Sequence, residues 1–142
     1  MTVGAGYSGT PLIKKLGIKP PMRILLLHPP ENYDQTLGEF PDGITLVETL
    51  AEAAQAPLDF IQFFTLQRAE LEAMFADLKA ALTPAGMLWI SWVKKSARIP
   101  TDLTEDIIRQ IALDGGLVDV KVCAVDANWS GLKLVYRLQD RP

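Results

Sequence analysis

Arg23-Ile24-Leu25-Leu26-Leu27-His28, preceded by Lys19-Pro20-Pro21 and followed by Pro29-Pro30, is a continuous apolar run bounded by prolines. It shows no polar alternation, so it reads as a central parallel strand buried on both faces. Parallel neighbours need crossover connections, and the segments on either side of this run are able to supply them.

Toward the N-terminus, Thr10-Pro11 offers a cap followed by proline at the first helical position, and Gly17 offers a stop, predicting a short helix over Pro11 to Leu16. Toward the C-terminus, Glu31 to Leu37 predicts a brief helix. The turn residues of Gly38 to Gly43 then lead into a second strand, Ile44-Thr45-Leu46-Val47. Ala51 to Ala56 reads as small-residue filler. Leu58 to Phe64 is β-rich, and Thr65 is placed to cap a helix from Leu66 to Leu82 with Leu71, Met74, Phe75, Leu78 and Leu82 on one face. Thr83-Pro84-Ala85-Gly86 ends that helix, and Met87 to Val93 is another buried strand.

After a polar loop, Lys94 to Thr101, a helix is expected over Leu103 to Asp114, with Asp102 and Glu105 at capping-box spacing, Ile107, Ile108 and Ile111 toward the core, and Gly115-Gly116 as the stop. Leu117 to Val125 and Leu132 to Leu138 are strands joined by Asp126-Ala127-Asn128-Trp129-Ser130-Gly131, a link that only an antiparallel hairpin accommodates. The expected fold is therefore α/β: a three-layer, Rossmann-like, mostly parallel sheet of about six strands with a C-terminal antiparallel hairpin.

A chain of 142 residues suits one hydrophobic core, so a single domain over 1–142 is expected, with 1–9 as a flexible N-terminal arm. The net charge is −3 and the basic residues are scattered, which argues against nucleic acid as a partner. The longest apolar run, Met87 to Val93, is far short of the ~20 residues a membrane helix needs. The opening Met1-Thr2-Val3-Gly4-Ala5-Gly6 has no basic n-region and no apolar h-region, which points to the cytoplasm. With one cysteine, Cys123, and one histidine, His28, neither a disulfide nor a metal site is expected.

Leu82-Thr83-Pro84-Ala85-Gly86-Met87-Leu88-Trp89-Ile90-Ser91-Trp92 resembles the helix end, Pro-x-Gly turn and fifth strand of class I methyltransferases that use S-adenosylmethionine. The closing hairpin is similar to theirs, and Leu16 to Leu27 resembles the lead-in to their first strand. Over nearly its full length the chain also resembles a family of short bacterial proteins of unknown function. The methyltransferase resemblance implies the strand order 2-1-4-5-7-6 in that family's labels, its third strand and helix being absent because only about ten residues separate Val47 from Leu58. Where that family places a glycine-rich cofactor loop, this chain has His28-Pro29-Pro30-Glu31-Asn32-Tyr33. Two prolines remove two N–H donors and Glu31 adds negative charge, so the loop is a poor anion cradle. Glu48, twenty residues beyond His28, stands where an acidic residue holds ribose hydroxyls in nucleotide-binding relatives.

Ligands of open α/β sheets bind outside the carboxyl ends of the parallel strands. That edge gathers His28, Asn32 and Tyr33, then Glu48, then Trp92, Lys94, Lys95 and Ser96, then Asp126, Asn128, Trp129 and Ser130. His28 suits a general base or ligand contact, Lys94 and Lys95 suit an anion, and Trp92 with Trp129 suit the faces of a planar ligand. Each has a plainer reading beside it: a structural histidine, solvated lysines, tryptophans that cap the core, an exposed surface glutamate. Cys123 has no activating partner in sequence and reads as a small buried hydrophobe. Gly4-Ala5-Gly6-Tyr7-Ser8-Gly9 spells a dinucleotide fingerprint, but no strand precedes it to feed the turn. The sequence carries no nucleophile elbow, Walker loop or paired carboxylates.

The expectation from these features is a non-catalytic methyltransferase-like domain, without cofactor, that binds a small molecule or a protein partner at this edge. A diverged enzyme holding S-adenosylmethionine or another adenosine ligand through Glu48 is the alternative. A structural homodimer, paired through an edge left open by the missing third strand, is a third reading.

Overall fold

The computed structural model describes residues 11–141. The expected arm, its Gly4 to Gly9 motif and Thr10 lie outside the described residues. Helix α1 (Leu12–Leu16) is followed by strand β1 (Arg23–Leu27), helix α2 (Tyr33–Leu37) and strand β2 (Thr45–Val47). Strand β3 (Leu58–Phe64), helix α3 (Arg68–Ala80) and strand β4 (Leu82–Val93) come next, then helix α4 (Glu105–Asp114) and the hairpin strands β5 (Leu117–Ala124) and β6 (Trp129–Tyr136).

These strands form one six-stranded sheet in the order β2-β1-β3-β4-β6-β5. Strands β2, β1, β3 and β4 run parallel, and β6 is antiparallel to both β4 and β5. The arrangement matches the strand order expected from sequence. Side-chain alternation along the strands sorts the core into two layers. Leu25, Ile61, Phe63, Leu88, Ile90 and Leu132 meet Leu71, Phe75 and Leu78 of α3 and Ile108 and Ala112 of α4. On the other face, Ile24, Phe60, Phe64 and Trp89 meet Leu16 of α1 and Tyr33 and Leu37 of α2. The Trp89 ring is fully buried and its indole N–H donates to the carbonyl of Leu16 at 3.0 Å, tying α1 to the middle of the sheet.

Several boundaries differ from the sequence reading. Helix α3 ends at Ala80, and Leu82 pairs with Leu58 as the first residue of β4. Thr83-Pro84-Ala85-Gly86 is thus an irregular lead-in to β4, with Pro84 and Ala85 turned to solvent, and the ladder resumes at Met87 opposite Phe60. A Cβ at Gly86 would stand 3.0 Å from the Leu58 and Thr83 carbonyl oxygens, which is why this backbone close approach takes glycine. The α4 cap is Thr104, whose hydroxyl accepts from the Ile107 N–H at 3.2 Å, while the Asp102 carboxylate instead accepts the Arg68 N–H at 2.7 Å and so closes the start of α3. The segment read as filler contains a 3₁₀ turn, Leu50–Ala54, with a full capping box between Thr49 and Glu52. Strand β6 begins at Trp129, three residues earlier than expected.

Candidate functional site

The chain leaves β1 toward β2 on one side and returns to β3 on the other, so the carboxyl ends of β1 and β3 flank the point where connections diverge. His28 immediately follows β1. Its backbone lies in the left-handed region at φ 54, and Asn32, four residues on, does the same at φ 64. Both residue types tolerate that conformation better than most, and it folds the His28-Pro29-Pro30-Glu31 loop sharply over the strand end. The His28 side chain is 55% exposed, and its ring rests 5.4 Å from that of Phe63 on β3.

Opposite His28 stands Glu70 in the first turn of α3, with Nδ1 3.8 Å from Oε2. The other Glu70 oxygen accepts a 2.5 Å hydrogen bond from the hydroxyl of Thr65, a buried residue just past β3. Thr65 thereby fixes a carboxylate beside the one histidine of the chain. Sequence reasoning missed this pair, because Glu70 is in sequence only one of two acidic residues, with Glu72, around the start of a helix.

Glu48 follows β2 and is exposed. The Glu52 carboxylate accepts the backbone N–H groups of both Glu48 and Thr49, at 2.7 and 2.8 Å, and so holds the chain where it leaves β2. Those N–H groups, Thr49 first, keep the Glu52 carboxyl below the ordinary carboxylate range.

Tyr33 is buried. Its hydroxyl donates to Gln62 Oε1 at 2.6 Å, and Gln62 Nε2 donates to the Ser91 hydroxyl at 3.1 Å, a polar chain crossing β3 and β4 inside the core. Burial pushes the Tyr33 phenol above its ordinary pKa, against the opposing pull of Gln62. Tyr33 is a satisfied interior group here, and the lone polar Gln62 within Phe60-Ile61-Gln62-Phe63-Phe64 was the sequence signal for its partner.

The remaining expected residues lie beyond β3, with Lys94 roughly three strand spacings, about 14 Å, from the end of β2. The Lys94 ammonium donates to the Asp126 carbonyl at 3.0 Å and its N–H to the Asn128 carbonyl at 2.8 Å. The Asp126 carboxylate accepts the N–H groups of Asn128 and Trp129, both at 2.8 Å. Trp92 is buried with Ile90 on the α3/α4 face, whereas Trp129 packs edge-on against Phe64 at 5.2 Å on the other face. The two rings lie on opposite sides of the sheet and do not frame a slot, which corrects the expectation of a planar-ligand sandwich. Lys95 and Ser96 are exposed in a 3₁₀ turn, Lys95–Ala97. Cys123 is half-buried, and burial raises its thiol pKa, with Lys15 and Lys121 opposing.

Among the described residues no helix is long and apolar enough to cross a membrane, and no group of three or more His, Cys, Asp or Glu is placed to hold a metal ion.

Many solved structures share this fold. A SAM-dependent methyltransferase from Aquifex aeolicus superposes with a TM-score of 0.62 at 16% identity, covering 87% of this chain and 86% of its own. Precorrin-6y C5,15-methyltransferase from Geobacter metallireducens gives 0.56 at 12% identity, covering 89% and 86%. Magnesium protoporphyrin IX methyltransferase from Synechocystis PCC 6803, solved with bound SAH, gives 0.53 at 13% identity, covering 89% and 78%. At such identities the likeness is one of fold, and that fold is the class I methyltransferase-like one. No protein-family model matches the chain, and no curated protein matches it.

Proposed function

We propose that this chain is a diverged S-adenosylmethionine-binding domain that grips its ligand chiefly by the nucleoside end, at the carboxyl edge of β2 and β1. The observation that carries this reading is Glu48: an exposed carboxylate directly after β2, on a backbone anchored by Glu52, beside the strand that opens the fold. A ribose diol presents two hydroxyl donors, and a carboxylate at this place in a doubly wound sheet is built to accept both. Chains of the same fold carry SAM or SAH, which supports the choice among adenosine ligands. When bound, S-adenosylmethionine supplies an electrophilic methyl group. The chain's own part is to hold the ribose at Glu48 and to shape the crevice with the His28 to Asn32 loop.

One observation favours binding without transfer as a second reading. Pro29 and Pro30 have no N–H to offer, and the Pro30 carbonyl is taken by the Tyr33 N–H at 3.1 Å, so the methionine end lacks the donor cradle a glycine-rich loop would give it. The nucleoside end fits these residues better than the amino-acid end does.

Melting curves with and without S-adenosylmethionine and S-adenosylhomocysteine test the proposal. Ligand at a hundred times its dissociation constant stabilises by about 2.7 kcal/mol, or roughly 5 to 10 °C for a domain of this size. A shift of that order, absent in Glu48→Gln, is expected. No shift with either compound at millimolar concentration overturns the reading. A shift accompanied by no S-adenosylhomocysteine formation from S-adenosylmethionine across a set of hydroxyl and amine acceptors favours the second reading.

A further inference from the structure

His28 differs from a structural histidine in a specific way. A histidine serving only the core is buried with its ring nitrogens satisfied, whereas this side chain is more than half open to solvent. Its backbone is held in the left-handed region, and its ring is set against Phe63. Its Nδ1 faces Glu70, whose other oxygen is locked by the buried hydroxyl of Thr65, so the carboxylate cannot swing away without breaking a 2.5 Å bond. The 3.8 Å separation is longer than a hydrogen bond, and catalytic contacts of this kind commonly tighten once a substrate is in place. The pair spans the ends of β1 and β3, the place where the topology puts the crevice.

We propose that His28 is the proton acceptor of this site, with Glu70 as its positioning residue, and that the substrate carries a dissociable O–H or N–H. Glu70 draws the imidazole proton onto Nδ1, which leaves the Nε2 lone pair as the accepting atom. In the step, the substrate O–H or N–H bond breaks and its proton bonds to Nε2. The electron pair stays on the substrate oxygen or nitrogen, and the positive charge of the imidazolium is balanced by Glu70. The role of that oxygen or nitrogen as a methyl acceptor rests on the function proposed above; the proton-accepting geometry stands on the chain's own side chains.

Because His28 is the one histidine of the chain, its tautomer is read directly from a long-range ¹H–¹⁵N spectrum of the full-length protein at alkaline pH. The expected result is the Nδ1–H tautomer as the major form, lost in favour of the Nε2–H form in Glu70→Ala. If the alanine variant does not fold, Glu70→Gln, which keeps the shape and removes the charge, is expected to reduce the Nδ1–H population. An Nε2–H tautomer in the unsubstituted protein, or one unmoved by either substitution, overturns the proposal. The spectrum is recorded without cofactor, so an Nδ1–H tautomer in a protein that fails to bind S-adenosylhomocysteine overturns the ligand assignment alone, and the converse result overturns the acceptor alone.

Discussion

The two halves of the carboxyl edge use similar residues to opposite ends. Beyond β4 and β6, Lys94, Asp126 and the backbone of Asn128 bond to one another and close the hairpin link. Beyond β2, β1 and β3, Glu48 and His28 at strand ends and Glu70 in the first turn of α3 keep side chains open to solvent, while other residues fix them in place: Glu52 holds the Glu48 backbone and Thr65 the Glu70 carboxylate. Backbone groups of a short link must be satisfied, and the charged residues of the hairpin are consumed in doing so. In the other half that work is done by neighbours, and the polar side chains are left open to solvent.

Substitutions should separate the halves by the kind of effect they have. The largest stability loss is expected from Trp89→Ala, which empties a fully buried ring site and removes the bond to Leu16, at about 3–5 kcal/mol in denaturant titration. A loss under about 1 kcal/mol would mean that α1 is not anchored through this ring. Tyr33→Phe leaves the buried Gln62 oxygen without its donor and is expected to cost about 1–3 kcal/mol, with the response to S-adenosylhomocysteine retained because the hydroxyl points into the core. Asp126→Ala releases two backbone N–H groups and is expected to cost about 1 kcal/mol, also without effect on ligand response. If it abolished the response, the hairpin half would have to be counted in the site. Glu48→Gln should leave the melting temperature of the free protein unchanged and remove the ligand shift. The smallest effect concerns Glu52: its lowered folded pKa means that its stabilisation is complete above the ordinary carboxylate value and is lost as pH falls through the lowered one. Glu52→Gln should therefore flatten stability against pH on the acid side only.

The sheet was legible in the sequence because each strand but β2 is an apolar or β-rich run between strong punctuation, and because the Asp126 to Gly131 link admits only a hairpin. Element ends were less so. Leu82 continues the apolar face of α3 in sequence, yet its pairing with Leu58 draws it into β4; Asp102 has capping-box spacing, yet Arg68, 34 residues away, claims its carboxylate. The same distinction runs through the site. His28 and Glu48 are found by counting from strand ends, a local operation. Glu70 is found only once α3 is set against β1, a placement governed by Leu71, Phe75 and Leu78 docking on the sheet and by nothing in the spacing of 42 residues between Glu70 and His28. Tyr33 misled for the converse reason: it follows the loop of interest, but its ring completes an apolar layer with Phe64 at 4.8 Å.

On the function proposed above, the ligand edge is the half bounded by β2, β1 and β3. Backbone amide shifts of ¹⁵N-labelled protein, followed as S-adenosylhomocysteine is added, test it most directly. The prediction is that the amides which move are those around His28, Asn32, Glu48 and Thr65 to Glu70, while Lys94, Asn128 and Trp129 stay in place. Shifts confined to the hairpin residues, or no shifts at millimolar ligand, would contradict it.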